Sequence, residues 1–433
     1  MKKILITLIL IIPTLGFGQG FQNTFGGDSL DMGYSVQQTN DGGYVLTGST
    51  NSYGNGDSDV YLIKTDGNGD SLWTRTFGGE NQDYCNSVQQ TTDGGYIITG
   101  RTESYGAGNK DVYLIKTDGN GDSLWTKTFG GTSFDNGISV QQTNDGGYII
   151  LGGTESYGAG NRDIYLIKTD GNGDSLWTKT FGGASQDFGN SVKQTNDGGY
   201  IVTGVTESYG AGNKDAYLIK TDASGDSLWT KTFGGSKFDL GNFVEQTDDG
   251  GYIVTGRTAS FGAGSLDIYL IKTDGNGDSL WAKTFGGSSF DLGFSLQQTT
   301  DGGYIIIGGT DSYGSGDRDV YLIKTDVNGD LIWAKTFGGS GFDLGTSIQQ
   351  TTDGGYIILG GTDSFGNGDR DLLLIKADGN GNITFIFDVP TPNPNRKLER
   401  IVDLLGREIK PQPNTLFIEI YDDGTITKKI IVE

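Results

Sequence analysis

The sequence predicts an all-β protein: a seven-bladed β-propeller followed by a small β module. The tetrapeptide Asp-Gly-Gly-Tyr occurs seven times, and successive copies begin 52 residues apart, at Asp41, Asp93, Asp145, Asp197, Asp249, Asp301 and Asp353. A tryptophan keeps the same spacing at Trp73, Trp125, Trp177, Trp229, Trp281 and Trp333. No segment has the apolar period of 3.6 residues that marks a helix. Self-similarity at a fixed period of this size is typical of repeat architectures.

Each repeat contains four predicted strands, here called A to D. In the first repeat they are Ser35–Thr39, Tyr44–Gly48, Asp59–Lys64 and Leu72–Phe77. The connections between A and B and between C and D are rich in glycine, asparagine and aspartate, which supply the positive φ angles of tight hairpins. Four short antiparallel strands in each of seven units is the plan of a propeller. A β-solenoid is the alternative, but solenoids need atypical end caps, and the first and last repeats here resemble the others.

The N-terminal part of the repeat region predicts how the ring closes. Residues 20–27 match strand D of the other units, with Phe21 at the tryptophan position, but no strand A, B or C precedes them. We expect this strand to pair with strand C of the last repeat, over Asp371–Lys376. Residues 383–387 compete for the same edge. Either pairing would remove an open sheet edge that otherwise promotes aggregation.

The ends of the chain predict export and a separate tail. A basic start at residues 1–3 and an apolar run at residues 4–15 have the form of a signal peptide, and the run is too short to span a membrane. We predict a signal peptide over 1–18, the propeller over 19–389, a proline-rich linker over 390–396 and a small β domain over 397–433. A hairpin is expected at Asp423-Gly424.

The tail also resembles the C-terminal (type A) sorting domain of type IX secretion cargo in Bacteroidetes. The matching features are a Pro-Asn-Pro entry at 392–394, the segment Ile401–Glu408, the Tyr-Asp-Asp-Gly hairpin at 421–424 and a final strand at 428–432. The resemblance implies recognition by the type IX secretion machinery and a secreted or outer-membrane cell-surface location. The repeats are similar to Gln-Thr-x-Asp-Gly-Gly-Tyr propeller repeats of exported bacterial and archaeal proteins. That similarity implies an architecture and no defined activity.

Composition narrows the possible functions. The net charge of −23 disfavours nucleic acid and anionic lipid as partners. The chain has no histidine, which excludes Ser-His-Asp catalysis and histidine metal sites. Paired carboxylates could still act on glycosides, but no repeat carries an evident Asp/Glu pair of its own. We therefore expect a monomeric protein that is not an enzyme and needs no cofactor.

Calcium is the one cofactor that the sequence leaves open. Asp66–Asp70 places oxygen ligands at alternate positions, as at the start of a calcium loop. Ser71 and Phe77 stand where an EF-hand requires glycine and glutamate, so this is not an EF-hand. A hairpin turn whose aspartates bind backbone amides is the other interpretation.

Covariation between the repeats predicts ion pairs in the B–C loops. Five repeats carry an acid and, seven residues later, a base. The other two repeats lack both partners together, with Asn51 and Ser58 in one and Ala259 and Leu266 in the other. Solvated, unpaired charges are the alternative. The predicted pairs are Glu103 with Lys110, Glu155 with Arg162, Glu207 with Lys214, Asp311 with Arg318 and Asp363 with Arg370.

An aromatic residue inside each B–C loop is the candidate ligand-binding residue. These residues are Tyr53, Tyr105, Tyr157, Tyr209, Phe261, Tyr313 and Phe365. The strand order places the B–C and D–A loops on one face, and the D–A loops and the starts of the A strands vary most between repeats. Aromatic rings near Asn, Gln and Asp suit sugar binding, although the rings could equally cover the blade ends. We expect a binding or adhesion module for a glycan or a surface protein, with a purely structural surface protein or a polysaccharide-acting enzyme as alternatives.

Overall fold

The computed structural model describes residues 20–383, 397–403, 407–410, 412, 416–422 and 426–430. Residues 20–383 belong to one compact unit and the described residues after 396 to a second. The predicted signal peptide, the predicted linker and the hairpin at Asp423-Gly424 lie outside the described residues. The described part of the chain contains no helix that could span a lipid bilayer.

The larger unit is a seven-bladed β-propeller of four-stranded antiparallel sheets. Strand β1 spans Phe21–Phe25, and the first blade contains β2 (Asp31–Gln38), β3 (Tyr44–Thr50), β4 (Asp59–Thr65) and β5 (Ser71–Phe77). The next three blades contain β6 (Asp83–Gln90), β7 (Tyr96–Thr102), β8 (Asp111–Thr117), β9 (Ser123–Phe129), β10 (Asp135–Gln142), β11 (Tyr148–Thr154), β12 (Asp163–Thr169), β13 (Ser175–Phe181), β14 (Asp187–Gln194), β15 (Tyr200–Thr206), β16 (Asp215–Thr221) and β17 (Ser227–Phe233). The last three contain β18 (Asp239–Gln246), β19 (Tyr252–Thr258), β20 (Asp267–Thr273), β21 (Ser279–Phe285), β22 (Asp291–Gln298), β23 (Tyr304–Thr310), β24 (Asp319–Thr325), β25 (Leu331–Phe337), β26 (Asp343–Gln350), β27 (Tyr356–Thr362) and β28 (Asp371–Ala377).

Strand A begins four residues earlier than the sequence pattern predicts, at Asp31 instead of Ser35. The register of β2 against β3 shifts between Gly33 and Ser35, so Tyr34 is an extra, bulged residue. The first strand of every blade carries the equivalent bulge. A bulge breaks the alternation of inward and outward side chains, which is why period-two reasoning missed the start of the strand.

The A strands form the inner wall of the ring, because the A strand of each blade contacts the A strands of both neighbouring blades. The N-terminal strand closes this ring. Strand β1 pairs antiparallel with β28, with Phe21 opposite Lys376 and Phe25 opposite Leu372. The predicted closure by residues 20–27 is thus confirmed. Of the competing segment, only Ile383 is described, and it packs against the core between the sixth and seventh blades.

The hydrophobic core is divided into seven clusters, and each cluster lies between two neighbouring blades. The cluster that spans the first and last blades, for example, joins Tyr44 and Ile63 to Ile357 and Leu374. No blade could bury its apolar faces alone, and burial of apolar surface is the main favourable term in folding. The ring is therefore the smallest unit in which every blade has two covered faces.

The tyrosine of each Asp-Gly-Gly-Tyr motif is buried more completely than the tryptophan. Tyr44 is 2% exposed, whereas Trp73 is only partly buried and packs at the edge of a cluster. The Trp73 ring lies 5.9 Å from the ring of Tyr96 in the next blade, in an edge-to-face arrangement. It also covers Gly121, where a Cβ atom would lie only 2.6 Å from the ring and where φ is +80°. The tryptophans thus cover the seams between blades.

A lysine–aspartate pair repeats in every blade. The Lys64 side chain is buried, and its ammonium lies 3.0 Å from the Asp41 carboxylate. The same carboxylate accepts hydrogen bonds from the Thr39 hydroxyl at 2.5 Å and the Gly43 amide at 3.0 Å. The equivalent distances in the other blades are 2.9–3.0 Å. The motif aspartate thus shapes its hairpin and also neutralises a buried cation.

The smaller unit contains one described three-stranded antiparallel sheet. Its strands are β29 (Leu398–Val402), β30 (Leu416–Tyr421) and β31 (Ile426–Ile430), with β30 in the middle. Val402 and Phe417 are buried. The tail is thus a small β module, as the sequence predicts.

Replacing Phe21 with alanine should weaken the closure of the ring. Phe21 packs on Tyr44 with ring centroids 6.1 Å apart, and removal of a partly buried aromatic ring should lower the free energy of unfolding by about 1–3 kcal/mol. Leu72→Ala is the control, since Leu72 is 58% exposed, and should change stability by less than about 0.5 kcal/mol. Equal effects of the two variants in urea unfolding would contradict closure by this strand.

Acid should destabilise the hairpins that hold the lysine–aspartate pairs. Partial burial alone would raise the pKa of Asp145, but hydrogen bonds from Thr143, Lys168 and Gly147 outweigh burial and lower it from 3.8 to about 2. A depressed folded-state pKa stabilises the fold above the ordinary pKa, and this stabilisation is lost as the pH falls from about 4 towards 2. Thermal unfolding from pH 6 to pH 2 should show the loss. Asp145→Asn should lose less stability than the parent over that range, and an identical slope would contradict the assignment.

Candidate functional site

The B–C and D–A loops lie together on one face, which we call the loop face. It comprises the B–C loops 51–58, 103–110, 155–162, 207–214, 259–266, 311–318 and 363–370, and the D–A loops 26–30, 78–82, 130–134, 182–186, 234–238, 286–290 and 338–342. Backbone hydrogen bonds hold the two sets together: Glu103 donates its N–H to the Gln82 carbonyl at 3.0 Å, and Asp83, which directly follows that D–A loop, donates to the Ser58 carbonyl at 2.7 Å. The B–C and D–A loops therefore share one face, as the sequence predicts.

The seven loop aromatics are half-exposed and also link neighbouring blades. Their exposures run from 37% for Phe365 to 47% for Tyr157. Six of the rings pack on an aromatic residue of strand C at 5.6–5.8 Å between centroids. The five tyrosine hydroxyls donate to glycine carbonyls at the end of the preceding strand D, as Tyr157 does to Gly130 at 2.8 Å. One part of each ring thus covers a seam, and the remainder faces solvent.

The five predicted charge pairs all lie within contact distance. In both aspartate pairs, two guanidinium nitrogens donate to the two carboxylate oxygens. Such two-point bonding fixes the orientation of the arginine as well as its distance from the acid. The shortest nitrogen–oxygen distances are 2.7 Å for Glu103 with Lys110, 2.7 Å for Glu155 with Arg162, 2.7 Å for Glu207 with Lys214, 2.5 Å for Asp311 with Arg318 and 2.6 Å for Asp363 with Arg370.

The bases of these pairs also lie beside aromatic rings, so the charges are not fully solvated. The side chain of Lys110 is 27% exposed and that of Lys214 is 30% exposed. The Lys110 ammonium is 5.7 Å from the centroid of Phe134, and the Lys214 ammonium is 5.6 Å from that of Phe188. The Arg162 guanidinium approaches Phe134 more closely, at 4.0 Å. Each of the five bases therefore lies near an acid of its own loop and near a phenylalanine ring of a D–A loop or of the start of a strand A.

The fifth blade, which lacks the charge pair, has an open groove instead. Its cavity is about 480 Å³ and is lined by Phe238, Arg257, Leu266, Phe290, Leu292 and Arg318. The Arg257 guanidinium lies 5.5 Å from the Phe238 centroid, and its buried Nε has no hydrogen-bond partner among the described residues. The loop face is thus not seven-fold symmetric: apolar side chains replace an ion pair at one blade.

A central channel runs between the A strands and is not lined by any of the seven loop aromatics. Two adjoining cavities of about 250 and 290 Å³ occupy it, and both touch the serines at 35, 87, 139, 295 and 347. At one level, glutamine side chains form a belt between blades. The Oε1 atoms of Gln37, Gln89, Gln141, Gln297 and Gln349 each accept the backbone N–H of the next blade at 2.6–2.7 Å.

The residues of the belt change at two adjacent blades. Lys193 and Glu245 replace glutamine, and Phe243 replaces the serine two residues before Glu245. The Lys193 ammonium lies 5.0 Å from the centroid of Phe243. Burial lowers the pKa of Lys193 and raises that of Glu245, while the attraction between the two charges acts in the opposite direction on each. No carboxylate oxygen of the described residues is within 4.0 Å of the Lys193 Nζ atom.

Sequence reasoning missed this channel cluster although the signal was available. Comparison of the repeats at 52-residue steps singles out Lys193, Phe243 and Glu245. The search for a distinctive Asp/Glu pair overlooked them, because the unusual pair is a base and an acid in neighbouring blades. Only the ring geometry places residues separated by a whole repeat at the same level of one channel.

The calcium-like turn behaves as a hairpin. One oxygen of Asp66 accepts the N–H groups of Asn68 and Asp70, both at 2.9 Å. Within the described ranges, no three His, Cys, Asp or Glu side chains come together in a way that could hold a metal ion.

Comparison with known proteins finds distant similarity. No protein-family model matches the chain. Regulatory protein FlaEY of Caulobacter vibrioides is 26% identical over 181 residues, which cover 35% of this chain and 19% of that protein. The chain therefore spans only about a fifth of the length of this relative.

The similarity to solved structures is weak. Sqt1 from Chaetomium thermophilum is 12% identical, with a TM-score of 0.47 over 95% of this chain and 98% of that chain. The WD40 domain of Neurospora crassa Pan2 is 11% identical, with a TM-score of 0.48 over 83% of this chain and 99% of that chain.

The charge pair in the third blade should contribute little to stability on its own. The Glu155 side chain is 39% exposed, and exposed ion pairs are worth about 0.2–1 kcal/mol. A double-mutant cycle of Glu155→Gln and Arg162→Gln should therefore give a coupling energy below about 1 kcal/mol. Arg162→Gln should cost more than Glu155→Gln, because it also removes the contact with Phe134. Urea unfolding measures both effects, and a coupling above about 2 kcal/mol would contradict this account.

Proposed function

We propose that the protein is an exported, non-catalytic binding module of the cell surface, which binds a glycan or a surface protein through its loop face. The observation that carries the proposal is where the repeats differ. The Asp-Gly-Gly-Tyr hairpins on the opposite face are the same in all seven blades, whereas the D–A loops differ from blade to blade. A scaffold whose repeats differ more on one face than on the other suits recognition better than support alone.

The half-exposed aromatics favour a glycan ligand. Sugar rings present C–H groups that pack on aromatic faces, and their hydroxyls bond to neighbouring polar groups. Phe261 and Phe365 have no hydroxyl, so the exposed ring is the feature that all seven positions share. The groove at the fifth blade contains two phenylalanines and Arg257, which pairs with no carboxylate among the described residues, and this different surface suits a protein ligand.

A non-catalytic role fits the chemistry of the loop face. The chain has no histidine, and the ten charged side chains of the five pairs bind each other. Carboxylates already neutralised by cations are poor general acids or bases. For delivery, we propose a signal peptide over 1–18 and recognition of the tail 397–433 by type IX secretion machinery, on the grounds of the sequence resemblance.

A purely structural surface protein is the second candidate. The observation that favours it is the use of the five tyrosine hydroxyls in bonds between blades, which gives the loop aromatics a role in the fold without any ligand. The two candidates differ in one respect that can be measured: only a binding module has a saturable ligand.

A glycan array probed with the protein, with calcium and with a chelator, should give a saturable hit. Tyr105→Ala with Tyr157→Ala should weaken it at least tenfold, because the stacking surface is lost. Tyr105→Phe with Tyr157→Phe keeps the rings and should retain binding, and Leu124→Ala on an exposed D strand is a second control.

Each other outcome has a distinct meaning. Loss of binding in chelator alone would establish a calcium requirement. Equal binding by the alanine and phenylalanine variants would exclude the aromatics as the binding surface. The absence of any hit in both conditions would exclude glycan binding and leave a protein ligand or a structural coat.

A further inference from the structure

We propose a second binding site in the central channel, which takes a small carboxylate that also carries hydroxyl groups, such as a hexuronic acid. The site consists of the Lys193 ammonium, the backbone N–H of Gln246, the Phe243 ring and the Glu245 carboxylate. It does not rest on the function proposed for the loop face, because none of these residues belongs to that face.

The first argument is an acceptor that is missing at one blade. In five blades a glutamine Oε1 atom accepts the N–H of the next blade, as Gln141 does for Gln194 at 2.7 Å. Lys193 occupies the glutamine position next to Gln246, and a lysine ammonium has donors only. The Gln246 N–H and the Lys193 ammonium therefore lie beside the position that a glutamine Oε1 atom occupies in five other blades. At this blade, no glutamine oxygen occupies that position. A carboxylate oxygen supplies that acceptor and pairs with the cation.

The second argument concerns Glu245. Its carboxylate replaces the acceptor that glutamine supplies in other blades, since one oxygen takes the Gln298 N–H at 2.8 Å. A carboxylate has a second oxygen with free lone pairs, and this oxygen is available to accept a hydrogen bond from a ligand hydroxyl. One ligand that carries a carboxylate and a hydroxyl can therefore satisfy Lys193 and Glu245 together.

The third argument is the surface between the two charges. Phe243 replaces a serine and presents its ring to the channel beside Lys193. Serine and glutamine side chains form most of the remaining wall. An aromatic ring among polar hydroxyls and amides matches the C–H and O–H groups of a sugar ring. The cavity of about 250 Å³ is near the lower limit for small-molecule sites, about 300 Å³, which favours a single sugar unit. A free sugar acid and the terminal uronate of a glycan share this chemistry.

Calorimetric titration of the full chain tests the proposal with three probes: D-glucuronate, D-glucose as the neutral analogue and acetate as the bare anion. Glucuronate should bind with a stoichiometry of one, and glucose and acetate should bind at least tenfold more weakly. A uronate-terminated oligosaccharide tested beside free glucuronate distinguishes the two sources, and tighter binding of the oligosaccharide would indicate a glycan end.

Lys193→Gln is the decisive variant, because it restores the residue of the other blades and should fold normally. It should weaken glucuronate binding at least tenfold. Lys237→Gln, which removes an exposed lysine of the loop face, is the control for charge and should leave binding unchanged.

In Glu245→Gln, the amide oxygen should accept the Gln298 N–H, as the glutamines of the other blades do, so that the NH₂ group faces the ligand. Glucuronate binding should then weaken while acetate binding does not.

Several results would overturn the proposal: no saturable binding of glucuronate, equal affinity for acetate and glucuronate, unchanged binding in Lys193→Gln, or tighter binding of both anions in Glu245→Gln. Failure here is distinguishable from failure of the loop-face function. Lys193→Gln should retain any glycan-array hit that depends on Tyr105 and Tyr157, and the double alanine variant should retain glucuronate binding.

Discussion

Apolar packing between neighbouring blades is the interaction on which the rest of the structure depends. Each core cluster joins strands of two blades, so that an isolated blade would expose both of its apolar faces. The half-buried tryptophans extend the same contact, because each ring covers the seam and the hairpin glycine of the next blade. Since every seam needs two blades, the ring must close, and β1 supplies the missing fourth strand of the last sheet. The invariant features of the repeat are best understood as requirements of the seam.

Polar groups determine the geometry of the hairpins and of the inner strands, which apolar packing alone does not specify. A buried lysine is costly unless its charge is compensated, and the motif aspartate compensates it in every blade while it also shapes the A–B hairpin. Around the channel, the glutamine belt bonds each inner strand to the next, with a geometry that apolar contacts alone would not specify. The repeat thus preserves two kinds of residue: those that cover a seam and those that satisfy a buried donor. Positions that neither cover a seam nor satisfy a buried donor differ between the repeats, and they lie on the loop face and along the channel.

The departures from the repeat are therefore the most informative residues for function. At the fifth blade the charge pair is replaced by Ala259 and Leu266, and an apolar groove with an arginine lies there. In the channel Lys193 breaks the belt, and in the next blade Glu245 keeps the bond to Gln298 but adds a negative charge. The fifth-blade change and Lys193 each remove an internal bond that five other blades make, and a group that loses its internal partner becomes available to a ligand. The loop aromatics differ from both, because they are common to all blades and have a role in the seam as well.

The sequence by itself determined the number of blades, the four strands of each, the strand that closes the ring and the pairing of acid and base in the B–C loops. These features depend on periodicity and on neighbours within one repeat, which a 52-residue spacing exposes directly. Only the tertiary structure decided where strand A begins, because a bulge at positions such as Tyr34 disrupts the alternation. It also decided that the buried aromatic is the motif tyrosine, that Lys110 and Lys214 lie beside phenylalanine rings, and that Lys193 and Glu245 line one channel. Those outcomes arise from contacts between segments that are distant in the chain, and for the channel the partners lie a whole repeat apart.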